Sequence, residues 1–288
     1  MKIDVRNVSK LYKQKHALKN ISFTIEGPKI IGFLGHNGAG KTTFLNLLAG
    51  LISTNEGQIC VNGENVFNAP VILRDICFVA ESGNFQEDMT VAQSLKTNSF
   101  FYPKWDGQLA NELLQVFALN PKDKVRNLSK GMVSALGIIT GFASNASITI
   151  FDEPYIGLDA AARNTFYDLL IEQQIENPRL FLLSTHLIDE ASKLFEEILI
   201  LHEGELLLQK TAEEWEKYIV AVKGSPQDVE LAIKNLEVIY KHSFMQEMTA
   251  VVFASGQAIE DENITLENVS LQDLLVYLSK QQKARLVK

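Results

Sequence analysis

The stretch Gly35-His36-Asn37-Gly38-Ala39-Gly40-Lys41-Thr42 decides how this chain folds. An apolar run at 30–34 precedes it and a helical pattern at 41–51 follows it. Strand, glycine-rich turn and helix in that order form one half of a βαβ unit. The spacing is G-x-x-x-x-G-K-[ST], that of a phosphate-binding loop. Its glycines let the backbone curl so that successive N–H groups face inward as an anion nest, and the helix adds its positive N-terminal end. Lys41 is placed to bridge the β- and γ-phosphates of a nucleotide, and the Thr42 hydroxyl to ligate Mg²⁺. A glycine-rich turn arising by chance needs neither flank; here both are present.

Further along, Ile148-Thr149-Ile150-Phe151-Asp152-Glu153 reads as a buried strand delivering a carboxylate to its C-terminal edge, where open α/β sheets bind ligands. On this reading Asp152 joins the Mg²⁺ shell and Glu153 orients or deprotonates an attacking water. Strand-like runs at 2–8, 17–26, 58–62, 76–80, 147–151 and 180–184 are interspersed with helical stretches at 91–100, 107–119, 160–175 and 187–194. Runs at 198–201 and 206–209 flank His-Glu-Gly-Glu as a hairpin. The pattern predicts an α/β P-loop domain with a mixed sheet over 1–209, including a helical subdomain at about 85–145. After Lys210 the texture changes. A helix at 211–217, a strand at 218–222, a helix at 226–235, strands at 238–244 and 248–254 and a last helix at 271–283 predict a small α+β domain over 210–288.

Composition bounds the function. At 288 residues the chain is long enough for two unequal domains, and 46% hydrophobic with 22% charged residues excludes a disordered or collagen-like chain. The formal charge of −8 argues against nucleic acid as a partner. Cys60 and Cys77 both sit in apolar strand-like runs, which reads as buried thiols in a reducing compartment. The first residues, MKIDVRNVSK, carry no apolar core of a secretory signal. The stretch 132–151 is uncharged and has the ~20-residue length of a bilayer span. However, Ser144-Asn145-Ala146-Ser147 in its middle reads as a turn between a helix and a strand. Membrane contact is therefore expected through a partner.

Several further motifs then agree in order and spacing. Leu128-Ser129-Lys130-Gly131-Met132 resembles the LSGGQ signature of the ATP-binding cassette (ABC) family, and Gly157-Leu158-Asp159 resembles its D-loop. Ser184-Thr185-His186 resembles its switch-histidine segment, and Tyr12 stands where its adenine-stacking aromatic is found. The resemblance covers roughly residues 1–209. It implies that ATP with Mg²⁺ lies on Gly35 to Thr43, with Thr42 and Asp152 at the metal, Glu153 and His186 as catalytic groups and Tyr12 under the base. It also implies a dimer, homomeric or with a different second cassette. Ser129, Gly131 and Asp159 of one subunit would close over ATP on the other.

Three positions depart from the family's pattern. Glu81 stands where Gln is usual; as a carboxylate it still meets metal and water, so it joins the catalytic and metal residues. Lys130 replaces a glycine, and Met132-Val133-Ser134 replaces the usual Gln and basic residues. The resemblance implies an ATPase that energises a membrane transporter with its spanning subunits on separate chains, at the cytoplasmic face of the cell membrane. Single cassettes with these features resemble Gram-positive exporters of peptides or antimicrobial compounds. Two alternatives remain at this stage: a DNA-repair or translation-linked cassette, against which the absence of a heptad insert and of a second cassette stands, and a degenerate regulatory cassette. The run Ser99-Phe100-Phe101-Tyr102-Pro103-Lys104-Trp105 reads either as a docking surface for the membrane subunit or as packing of the helical subdomain.

Overall fold

The computed structural model describes residues 1–254 and 263–286, and the chain packs as two units. One comprises Met1–His186 with Leu194–Gln209; the other takes Leu187–Lys193 together with the chain from Lys210 onward.

The first unit opens with an antiparallel pair, β1 (Lys2–Tyr12) and β2 (Lys15–Glu26). β3 (Lys29–Leu34) runs into the phosphate loop and α1 (Lys41–Leu48) leaves it. β4 (Glu56–Val61) pairs with β1 and with the short β5 (Glu64–Asn65), completing a sheet of order β2-β1-β4-β5. After α2 (Pro70–Leu73) and β6 (Ile76–Val79) come three helices, α3 (Val91–Ser99), α4 (Gly107–Val116) and α5 (Lys130–Ala143). β7 (Ile148–Asp152), α6 (Ala160–Glu176) and β8 (Leu180–Ser184) follow. The short α7 (Ile188–Ala191) belongs to the second unit, and the chain returns through β9 (Glu197–His202) and β10 (Glu205–Thr211).

The second sheet has the order β10-β9-β3-β8-β7-β6, and the five strands from β9 to β6 are parallel. Every residue of β7 and β8 is buried, as expected of parallel strands covered on both faces. Phe151 of β7 and Phe181 of β8 stack at 6.4 Å, with Phe142 of α5 and Phe166 of α6 edge-on to Phe151 at 5.5 and 5.3 Å. Gly141 lets α5 lie this close: a Cβ there would stand 2.4 Å from the Phe151 ring. The uncharged run is thus α5, a turn and β7. Asn145 turns the chain at φ 46°, and no helix among the described residues is long and apolar enough to cross a membrane. Cys60 and Cys77 are free and buried.

The second unit contains α8 (Ala212–Tyr218), β11 (Ile219–Gly224), α9 (Pro226–Ala232), β12 (Glu237–Phe244), β13 (Glu247–Phe253), β14 (Ile264–Asn268) and α10 (Leu271–Leu286). Its antiparallel sheet has the order β12-β13-β11-β14. Ser225 caps α9 by accepting from Asp228 N, with Pro226 in the first turn. Val229 and Ile233 pack with Val222, Met248, Ala250 and Val252 into a small core. The sequence reading did not locate β14, a five-residue strand with only two apolar residues, Ile264 and Leu266, and with every residue after Ile264 exposed.

Candidate active site

The phosphate loop leaves β3 and enters α1 through three left-handed or extended glycines. Gly40 at φ 107° is the clearest case, because a Cβ there would meet Ala17 O at 2.5 Å as well as the forbidden torsion. Lys41, the first residue of α1, is buried and donates from Nζ to Gly35 O at 2.7 Å, folding back over the loop. Burial pushes its pKa down, while Glu153 and Asp152 pull it back up.

The next residue is the candidate metal ligand. Thr42 Oγ1 donates to Asp152 Oδ2 at 3.0 Å, so the α1 hydroxyl and the β7 carboxylate already converge. Among the described residues no group of three or more His, Cys, Asp or Glu forms a metal cage. Two hard oxygens beside a phosphate loop fit Mg²⁺, which takes one or two protein oxygens and completes its shell with water and substrate phosphates.

Glu153 follows β7 at φ 51°, a left-handed backbone that a glutamate rarely adopts. Its N–H donates to Ser184 O at 3.0 Å, and its Oε2 lies 2.5 Å from His186 Nδ1. Burial raises the Glu153 pKa, and His186 and then Lys41 offset part of that rise.

These residues share one cleft of about 450 Å³, lined by Tyr12, Asn37, Gly38, Gly40, Lys41, Thr42, Thr43, Glu81, Asp152 and Glu153. Tyr12 is half-exposed, with Lys10 Nζ 5.4 Å from its ring centre. Lys15 and Ala17 also line the cleft. The sequence reading missed them, for neither belongs to a motif and only the β1–β2 pairing brings them there. The His36 ring turns instead to His202, at 5.3 Å, and its Nδ1 lies 2.8 Å from Asn37 O. Ala39 is fully buried, and of these two loop residues the backbone alone is left to meet a phosphate.

The signature residues stand elsewhere. Ser129 caps α5 by accepting from Met132 N at 3.2 Å, and Asp159 caps α6 by accepting from Ala162 N at 2.8 Å. Gly131 lies so close to Gly157 that a Cβ on it would sit 2.3 Å from Gly157 O. Ser129, Gly131 and Asp159 line a separate cavity of about 390 Å³ with Phe117, Met132 and Leu158.

Comparison with known proteins agrees with this geometry. The family model described as ABC transporter matches residues 18–156. The chain is 30% identical over 237 residues to the ABC transporter ATP-binding protein YtrB of Bacillus subtilis, covering 82% of this chain and 81% of that protein. It is 32% identical over 208 residues to the bacitracin transport ATP-binding protein BcrA of Bacillus licheniformis, covering 71% and 68%. Among solved structures, an ATP-binding subunit of an ABC transporter superposes with a TM-score of 0.68 at 25% identity, covering 75% of this chain and 92% of that one. The dimeric cassette MJ0796, in a post-hydrolysis state bound to ADP and Pi, superposes at 0.66 and 25% identity, covering 73% and 98%. With the phosphate loop, the Thr42–Asp152 pair and Glu153 in one cleft, and an exposed His186 bonded to that glutamate from outside the cleft lining, the chain belongs to the ABC transporter family as one of its ATP-binding cassette ATPases.

Proposed function

We propose that this chain hydrolyses ATP as one half of a sandwich dimer and thereby drives an exporter of peptides or antimicrobial compounds. One observation carries the dimer: Lys41, Thr42 and Glu153 line one cavity, while Ser129, Gly131 and Asp159 line another. A single chain does not bring the two sets together, so a second cassette, identical or different, must supply the missing set. The solved dimer of MJ0796 gives a precedent among its structural relatives.

In the closed site Lys41 exchanges its bond to Gly35 O for the β- and γ-phosphates, aided by loop amides and the α1 N-terminus. Thr42 and Asp152 would hold Mg²⁺, which when bound neutralises charge on the phosphates. Glu153 accepts the proton of the attacking water, and His186 fixes the carboxylate that does so. Glu81, exposed on the cleft wall, is the residue left to meet metal or water from the far side. Tyr12 offers its ring to the base.

Export of peptides rests on the likeness to BcrA, whose name records bacitracin transport. The membrane subunits are separate chains on this reading, met at the cytoplasmic face through the helical subdomain. There Phe100 and Phe101 are 78% and 63% exposed, more than a core role explains. The test is Glu153→Gln, which removes the base and keeps the shape. With ATP and Mg²⁺ it should accumulate as a dimer in size-exclusion chromatography with no phosphate released; a monomer under saturating ATP sinks the sandwich.

A further inference from the structure

We propose that a polar cavity at the N-terminal ends of β3, β7 and β8 is a second oxyanion site, distinct from the nucleotide cleft and with room for inorganic phosphate. The cavity measures about 300 Å³ and its lining includes Lys104, Asn145, Ser147, Asn177 and Arg179.

Arg179 is the reason. It is only 5% exposed, yet no carboxylate lies within ion-pair distance of it among the described residues. Its Nη1 donates to Asn145 Oδ1 at 2.5 Å and its Nη2 to Phe142 O at 3.0 Å, with a longer contact to Gln173 Oε1 at 3.5 Å. One face of the guanidinium lies 4.8 Å from the Phe181 ring centre. Its Nε is buried and has no hydrogen-bond partner. A buried cation normally meets a full counter-charge. The carbonyls at the end of α5 supply about half of one.

A second cation opens on the same space. Lys104 Nζ donates to Ser147 Oγ at 3.1 Å and to Asp75 Oδ1 at 3.2 Å. The cavity wall therefore holds two cations against one nearby carboxylate, and Asn177 Nδ2, which donates to Asn145 Oδ1 at 2.9 Å, adds a neutral donor. A compact oxyanion suits this set, because the Lys104 ammonium and the Asn177 amide offer donors to its oxygens while the buried Arg179 guanidinium behind them adds an unneutralised positive charge. On this view Asp75 is a competitor: it occupies the lysine that the anion would take.

The competing explanation is that Arg179 only caps α5. The two readings differ in sign at Asp75. The full chain carrying Lys41→Ala, which weakens phosphate binding in the nucleotide cleft, would be titrated with inorganic phosphate by calorimetry. Saturable binding is expected. Asp75→Asn should tighten it by roughly threefold, and Lys104→Met should weaken it by about tenfold, the loss of one charge-assisted hydrogen bond. Arg179→Met should abolish it, and if that variant does not fold, the opposite signs at Asp75 and Lys104 still decide. No binding at millimolar phosphate, or binding that ignores both surface substitutions, overturns the proposal.

Discussion

His186 Nδ1 lies 2.5 Å from Glu153 Oε2, and this contact joins the C-terminal ends of two adjacent parallel strands. Glu153 stands one residue beyond β7 and His186 two beyond β8. The Glu153 N–H is held by Ser184 O, and its left-handed backbone stores about 1–3 kcal/mol of strain. Strain of that size persists only where neighbours over-determine the geometry, so the fold itself holds the Glu153 carboxylate in place. His186→Ala should lower turnover by about 10²-fold or more while leaving ATP affinity within about twofold. Steady-state phosphate release with calorimetry checks it, and unchanged turnover would remove His186 from the reaction.

The buried Glu153 carboxyl also sets a pH dependence. Its pKa is raised by burial, so the folded chain holds that proton more tightly than the unfolded one. Stability from this group is then greatest at acid pH and falls as pH climbs from the ordinary carboxylate range through the folded pKa. Glu153→Gln should lack that fall, visible as a flatter denaturation midpoint against pH. Turnover should rise over the same interval, since the base works only when deprotonated. Parallel midpoint profiles for the two proteins would argue against a raised pKa.

Lys41 folds back over the glycine-rich loop and donates to Gly35 O at 2.7 Å. Lys41→Ala should weaken ATP binding at least about tenfold, the loss of one or two charge-assisted hydrogen bonds. Unchanged affinity by calorimetry refutes its place in the cradle.

Gly131→Ala should separate binding from turnover. The added methyl would meet Gly157 O at 2.3 Å, and overpacking of this kind costs about 1–3 kcal/mol. The nucleotide cleft lies elsewhere, so ATP affinity of the monomer should be preserved while melting temperature and turnover both fall. A variant as active as the native chain would show that α5 and the Gly157 turn have room to part.

Deletion after Gln209 should not give a clean cassette. The buried Ile188 and Ala191 of α7 pack with the second unit, where α10 lies against them. Removing that unit uncovers both, and the truncated chain should melt below the intact protein and aggregate; an equally stable truncation would show that α7 is free to repack.

The strand, glycine-rich turn and helix around Lys41, the Asp152–Glu153 strand end and the helix starts at Ser129 and Asp159 were legible in the sequence. Each is a local string whose glycines, caps or terminal acids act through neighbours in the chain. The turn at Asn145 was legible for the same reason, since short polar residues break an apolar run wherever they fall. What the sequence did not contain was distance between strings. Parallel pairing of β7 with β8 brings Glu153 to His186, and the β1–β2 hairpin brings Lys15 and Ala17 to the cleft. The strand-then-helix pattern at 180–194 reads as continuous, yet α7 belongs to the other unit. Arg179 belongs to no motif; only the approach of the end of α5 to the start of β8 buries it against the Phe142 carbonyl. Local torsion and periodicity act within a few residues and can be read along the chain. Burial and pairing depend on residues far apart in it, and those the tertiary structure alone decided.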